Sequence, residues 1–422
     1  MLDLAMLDIL ILSVLVLSLP WLVNHYLKTN YFPAELQFFV ILGGIAWLIF
    51  SIYCDQLSVY VLQLWIYDAG GHEVWGDRLA TSMAAGDWGP FFDHFRVGNH
   101  AYHCYVALIL WLGATISAVT MINAWICFWA GLILVQCFNS VAPHPNQGKG
   151  WIFLTIFFPS VVFWGTMNLK EGWMYWSVCN VMAATFHDPR DTFFRKTPWI
   201  FPAIVIGSLF RAHVIIGCVI AVVAVNVFQT GKRSVALLLI LALPFLFWAV
   251  KQKTGMEFST ESAMDTLDQR FAVLYRSGQQ GTRIEYMTGK PIFFISGAIS
   301  AFFRPFPWQV NSLRTLISCL ETWVVTLSLV VVWARFGTSY GRMALRLPCI
   351  KASILATIWI CILLSYFPNE GLVVRQKIQM VPGLLALAIV PLRVREDLRL
   401  KYFMRRAMLP RWLQPAGEAS RG

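Results

Sequence analysis

Long apolar runs recur along this chain, separated by short polar punctuation. A helix needs about 20 apolar residues to cross the hydrocarbon core of a bilayer, fewer where the membrane thins. Runs of that kind occupy 8–27, 37–54, 119–141, 151–167, 171–187, 234–250, 311–334, 349–367 and 378–392. The stretch 199–229 is too long for one crossing and carries Arg211 at its centre. A charge at mid-membrane costs about 2.5–3.5 kcal/mol on insertion scales. The cheaper expectation is two short helices, 199–210 and 213–229, with Arg211 and His213 in a turn at the membrane surface. The pattern therefore predicts an all-α polytopic membrane protein with about 11 spans, within a range of 10–12.

Two long segments, about 55–118 and 251–310, interrupt the runs. Each holds a half-length apolar piece, Ala101–Gly113 and Ile292–Phe303, which suits a juxtamembrane helix lying on or dipping into the bilayer. The second piece closes on Arg304-Pro-Phe-Pro-Trp308. Loops of this length are usually functional. The chain has no internal repeat, no low-complexity segment and no inverted hydropathy symmetry of the transporter kind.

Composition narrows the class further. The 422 residues are 58% apolar and only 13% charged, whereas an average soluble domain is roughly 45–50% apolar and about 25% charged. A soluble enzyme, a coiled coil and a disordered chain are excluded, which leaves a transmembrane domain, 1–392, and a basic tail, 393–422. The net charge of +11 does not point to nucleic acid, because eight of the 33 basic residues lie in that tail, too short to build a basic face. With the tail in the cytoplasm, the inner loops and tail hold 19 basic residues and the much longer outer segments 14, the bias expected of cytoplasmic loops. The first span has no basic region before it and no small-residue cleavage site, so it is expected to be retained. The nine cysteines mostly sit in apolar runs without a CxxC pair and read as small core residues.

In that topology the unusual polar residues fall on outer turns. The first turn is Tyr67-Asp68-Ala-Gly-Gly-His72-Glu73-Val-Trp75-Gly-Asp77-Arg78. Read as a helix from Gly71, it sets His72 and Trp75 on one face, with Asp68 before it as N-cap or free carboxylate. Lys170-Glu171 forms the second turn, following Pro159, and Arg211-Ala-His213 the third; Arg304 with Trp308 is the fourth. Asn369-Glu370-Gly-Leu-Val-Val-Arg375-Gln-Lys377 is the fifth. Any one of them suits ordinary snorkelling of charged side chains. Together they suit lipid-linked sugar chemistry. Carboxylates activate a hydroxyl or hold a divalent cation, arginines and lysines grip phosphate, and Trp75, Trp88 and Trp308 can stack on sugars. The spacing of His94, His100 and His103 fits no standard zinc motif, and these three are not assigned as ligands.

On these residues the chain resembles the GT-C superfamily of integral-membrane glycosyltransferases, which includes protein O-mannosyltransferases and bacterial aminoarabinose transferases. The likeness covers about 37–215 well and the rest loosely. Asp68 with His72 is similar to the family's early Asp-x-x-x-Tyr/His segment, Tyr102–Gly113 to its membrane-surface helix, and Pro159 followed by Glu171 to its second acidic turn. Ala69 departs from the acidic pair common in that loop, and there is no large soluble C-terminal outer domain. The resemblance implies juxtamembrane helices around an outward cavity in a bacterial cytoplasmic (inner) membrane. It implies Asp68 as base or metal-side carboxylate and Glu171 as the second acid, with Lys170, Arg211, Arg304 and Arg375 as phosphate ligands. A divalent cation, magnesium or manganese, would sit on Asp68. The residue reading adds His72 to the catalytic group, Lys377 to the phosphate group, and Trp75, His213 and Trp308 as sugar or acceptor contacts. The partners implied are a polyprenyl-linked sugar donor, a glycan or lipid-linked acceptor and membrane lipids.

The segment Gly371-Leu-Val-Val-Arg375-Gln-Lys377, followed by Pro382, also looks like segments of Wzy-type polysaccharide polymerases. The expected function is glycosyl transfer from a polyprenyl-(di)phosphate donor to an acceptor hydroxyl in cell-surface polysaccharide synthesis. A repeat-unit polymerase is the alternative, and a lipid-linked sugar flippase or transporter the second alternative. A transporter would carry ionisable residues within its spans and helices broken near the midplane.

Overall fold

A computed structural model describes residues 5–27, 32–60, 67–141, 150–186, 200–230, 292–310, 313–335, 344–365 and 370–408. The described residues are all-helical, without strands. They form α1 (Met6–Tyr26), α2 (Ala34–Tyr60), α3 (Tyr67–Ala84), α4 (Gly89–His94), α5 (Asn99–Trp111), α6 (Ile116–Val141), α7 (Gly150–Ile156), α8 (Pro159–Thr166) and α9 (Glu171–Ala183). Then come α10 (Ile200–Thr230), α11 (Ile292–Phe303), α12 (Leu313–Arg335), α13 (Pro348–Ser365), α14 (Glu370–Gln376) and α15 (Val381–Met408). Among the described residues seven helices are long and apolar enough to cross a membrane: α1, α2, α6, α10, α12, α13 and the run through α14 and α15. The chain is a multi-pass membrane protein.

The outermost helices show why lipid is the right solvent. On α12, Leu316, Leu320, Val324, Leu327 and Val331 are exposed at helical spacing, and on α1 Leu10, Val14, Leu17 and Trp21. Such a continuous apolar stripe would be costly in water. In contrast, α6 runs through the centre of the fold and packs on α1, α2, α7, α8, α9 and α15. Small residues let its neighbours approach closely, as is usual where helices associate in lipid. A Cβ at Gly131 would lie 2.9 Å from the Ile156 Cα, and one at Gly172 would lie 2.7 Å from the Gly165 carbonyl oxygen. Eight cysteines are buried with no disulfide; Cys54 lies where side chains are not described.

Two of the apolar runs are broken and a third is shortened, which shapes the interior. The run 151–167 is two short helices, α7 and α8, because Pro159 lacks the N–H that a continuous helix needs there. The run expected at 171–187 is a 13-residue helix, α9. Within α10, Arg211 has non-helical backbone angles (φ −151°, ψ 74°). A Cβ on Gly207 would sit 2.5 Å from the Ile215 side chain, yet residues eight apart in a straight helix are separated by about 12 Å. The two halves of α10 therefore bend toward each other at Arg211, where the cost of a mid-membrane charge places a break. The run expected at 234–250 lies outside the described residues. At the C-terminal side, α15 continues past the boundary expected at 392, and Arg393 is buried against α6 and α7. It donates to Asn139 Oδ1 at 2.9 Å and stacks over Trp151 at 5.0 Å.

Candidate functional site

Glu171 opens α9, and its side chain is completely buried. Its Oε1 accepts a hydrogen bond from Arg211 Nη2 at 2.6 Å and lies 2.9 Å from Arg375 Nε. The two arginines come from the break in α10 and from α14, and they are 4% and 7% exposed. An ion pair thus holds Arg211 inside the protein. A buried charge costs several kcal/mol unless it is paired, and Glu171 supplies that partner to both guanidinium groups. Lys170, the residue before α9, is also buried, and its ammonium donates to Asn99 Oδ1 at the start of α5.

A buried polar network holds the turn that carries these charges. Asn123 of α6 donates from Nδ2 to the Met167 carbonyl at 2.8 Å and lies 3.2 Å from the Leu169 carbonyl and 3.0 Å from the Tyr102 hydroxyl. Tyr102 donates to Asn168 Oδ1 at 3.2 Å, and Asn168 donates to the Ala69 carbonyl at 3.0 Å. In an apolar surround an unmade hydrogen bond is expensive, so this network ties α3, α5, α6 and the α8–α9 turn into one arrangement. The α3 helix already includes Tyr67 and Asp68, so Asp68 lies within the helix and does not cap one starting at Gly71. The Asp68 side chain is outside the described residues. One turn on, the buried His72 ring packs 4.8 Å from Tyr102 and 5.0 Å from His103.

Next to this network stands a histidine corner. His94 ends α4, and His100 and His103 share the first turns of α5. His94 Nε2 lies 2.8 Å from His103 Nδ1 and 3.1 Å from His100 Nδ1. Trp75 of α3 stacks on His94, with ring centres 4.9 Å apart, and the Arg78 guanidinium covers its ring at 5.3 Å. Gly98, with φ 107°, turns the chain back so that α4 and α5 meet; only glycine adopts such angles without strain. The Gly98 N–H donates to the Leu209 carbonyl at 2.7 Å, joining this corner to the bend at Arg211. Burial, then the neighbouring His94, His100 and Lys170, hold the His103 imidazole down to about 4. His94 is lowered by burial, then by His100 and Arg96; His100 by burial, then by Arg96 and Lys170. Each of these shifts favours the neutral ring. Sequence spacing missed the corner because the Gly98 turn, not a regular repeat, creates it.

The remaining candidates have other described partners. The Lys377 ammonium donates to the carbonyls of Phe302, at 2.9 Å, and Arg304, closing the end of α11. Arg304 binds Ser300 and lies over the Phe306 ring. Trp308 is 77% exposed and stacks on Phe306, while His213 is half-buried, its carbonyl accepting from Trp359 Nε1 at 2.9 Å. Glu321 is a carboxylate that the sequence pattern did not single out. It lies inside the apolar helix α12, accepts a hydrogen bond from Ser160, and lines a small cleft with Lys377 and Thr322. A lone acid within an apolar run was the available signal.

The fold and this centre define a helical membrane protein with a buried cluster of charges where several broken helices meet. Comparison with protein-family models, curated proteins and solved structures gives no match.

Proposed function

We propose that the chain is a membrane glycosyltransferase of GT-C-like architecture, with about 11 spans. It transfers a sugar from a polyprenyl-(di)phosphate donor to an acceptor hydroxyl at the outer face of a bacterial cytoplasmic membrane. The observation that carries this reading is convergence. Turns far apart in sequence, around Ala69–His72, Asn99–His103, Met167–Glu171, Arg211 and Arg375, meet in one place. In this reading Lys170, Arg211 and Arg375 hold the donor phosphate, and Asp68, carried on α3, takes the proton of the acceptor hydroxyl. Glu171 is better suited to positioning than to proton transfer, because two guanidinium groups favour its charged form. Lys377 and Arg304 shape the neighbouring wall. In a reconstituted assay Asp68→Asn should abolish transfer and leave insertion and folding intact. Full transfer by that variant would remove Asp68 as base.

A flippase or transporter of the same lipid-linked sugar is the second reading. Its specific support is that the buried charges of Glu171, Arg211 and Arg375 meet at the broken helix around Arg211, the arrangement such proteins use to pass an anion. Donor consumption without an acceptor gradient favours the transferase; movement of intact donor across vesicles favours the transporter.

A further inference from the structure

Three ring nitrogens from His94, His100 and His103 converge within 4.8 Å of one another. The convergence is hard to satisfy with hydrogen bonds alone. A neutral imidazole nitrogen carries one N–H or one lone pair, never both. His94 Nε2 therefore cannot make two good hydrogen bonds, yet it faces His103 Nδ1 at 2.8 Å and His100 Nδ1 at 3.1 Å. A cation between the three nitrogens removes that conflict, because all three lone pairs can then point at one centre.

We propose that His94 Nε2, His100 Nδ1 and His103 Nδ1 bind a divalent transition-metal ion, zinc by preference, with one coordination position open. Zinc–imidazole bonds of about 2.0–2.1 Å put tetrahedral nitrogens about 3.3 Å apart, close to the 2.8 and 3.1 Å that separate His94 Nε2 from the other two. Imidazole donors select zinc, copper or nickel over magnesium and manganese, which prefer oxygen. The corner is also built to hold its rings. His103 is buried, Trp75 fixes His94 by stacking, and the Gly98 turn sets α4 against α5. His100 is exposed and His94 half-buried, so the ion is reachable from outside. Three protein ligands and an open position are the arrangement of zinc sites that bind an anion or a water. Asn99, beside His100, is the residue that Lys170 holds, so the ion would stand next to the charged centre. The proposal does not depend on which lipid-linked reaction that centre serves.

The test uses full-length, tag-free protein in nanodiscs, loaded with zinc chloride and dialysed, with metal content read by mass spectrometry. Wild type should retain about one zinc per chain, as a three-histidine site predicts. His100→Ala and His94→Ala should lose more than about tenfold in zinc affinity while eluting as wild type does. His25→Ala, on an exposed histidine at the end of α1, should retain the metal. Cobalt substitution gives a second readout, with a ligand-field spectrum in wild type that both corner variants lose. Wild-type protein that retains no zinc, or corner variants that bind it as wild type does, would overturn the proposal. If either variant misfolds, His100→Gln on the exposed residue decides in the same assay.

Discussion

Two buried arginines on one stretch of helix, α14 through α15, differ in their described partners. Arg375 and Arg393 are 18 residues apart, roughly 30 Å at 1.5–2.0 Å per residue, about the thickness of a hydrocarbon core. At one end Arg375 shares a carboxylate with Arg211, beside Lys170 and a network of amides and a tyrosine hydroxyl. At the other end the described partners of Arg393 are an amide oxygen and the face of an indole. Burial alone therefore does not mark a site. What distinguishes the Arg375 end is that helix breaks and turns from five parts of the chain deliver ionisable groups there. The Arg393 end is a contact between α15 and its neighbours α6 and α7.

Glu171→Ala should separate the two ends most sharply. Leaving a buried arginine pair without its carboxylate costs about 3–5 kcal/mol, so thermal unfolding in detergent should fall strongly and transfer should disappear. A variant as stable as wild type would mean that the arginines do not need Glu171. The next largest effect belongs to Arg375→Ala, which should raise the apparent donor KM if Arg375 grips phosphate; an unchanged donor KM would place it with Arg393 as a structural residue. Gly98→Ala forces a non-glycine residue into φ 107°, at about 1–3 kcal/mol. It should lower both thermal stability and zinc retention, linking the histidine corner to the turn. Smallest is Arg393→Met, with about 1–2 kcal/mol of lost hydrogen bond and cation–π contact and no change in donor KM. A shifted donor KM there would erase the contrast between the ends.

Much of the scaffold was legible in the chain because lipid imposes so simple a demand. Apolar runs of sufficient length located α1, α2, α6, α12, α13 and the last span, and the half-length run Ile292–Phe303 is α11 residue for residue. The break at Arg211 followed from the cost of a charge in a long apolar stretch. Its burial did not, since that depends on Glu171 reaching it from another helix. Pairings of this kind are tertiary facts. Asn123, Tyr102 and Asn168 are unremarkable singly in sequence, and only the folded turn brings their polar atoms together. The same holds for His94, His100 and His103. In the case of Arg304, Trp308 and Lys377, outer-turn logic grouped residues whose described contacts lie around the end of α11. Glu321 was visible as an acid within an apolar run, yet its contact with Ser160 needed the packing of α8 on α12.

The most direct measurement of the central claim is lipid-linked oligosaccharide and surface-glycan composition in a strain lacking this protein, complemented with wild type or Asp68→Asn. The expected result for Asp68→Asn is a glycan lacking one sugar, with its lipid-phosphate donor accumulating, while wild type restores both. Accumulated single repeat units without polymer would contradict it in favour of a polymerase. Normal glycan with Asp68→Asn, lost only in the full deletion, would contradict it in favour of a transporter.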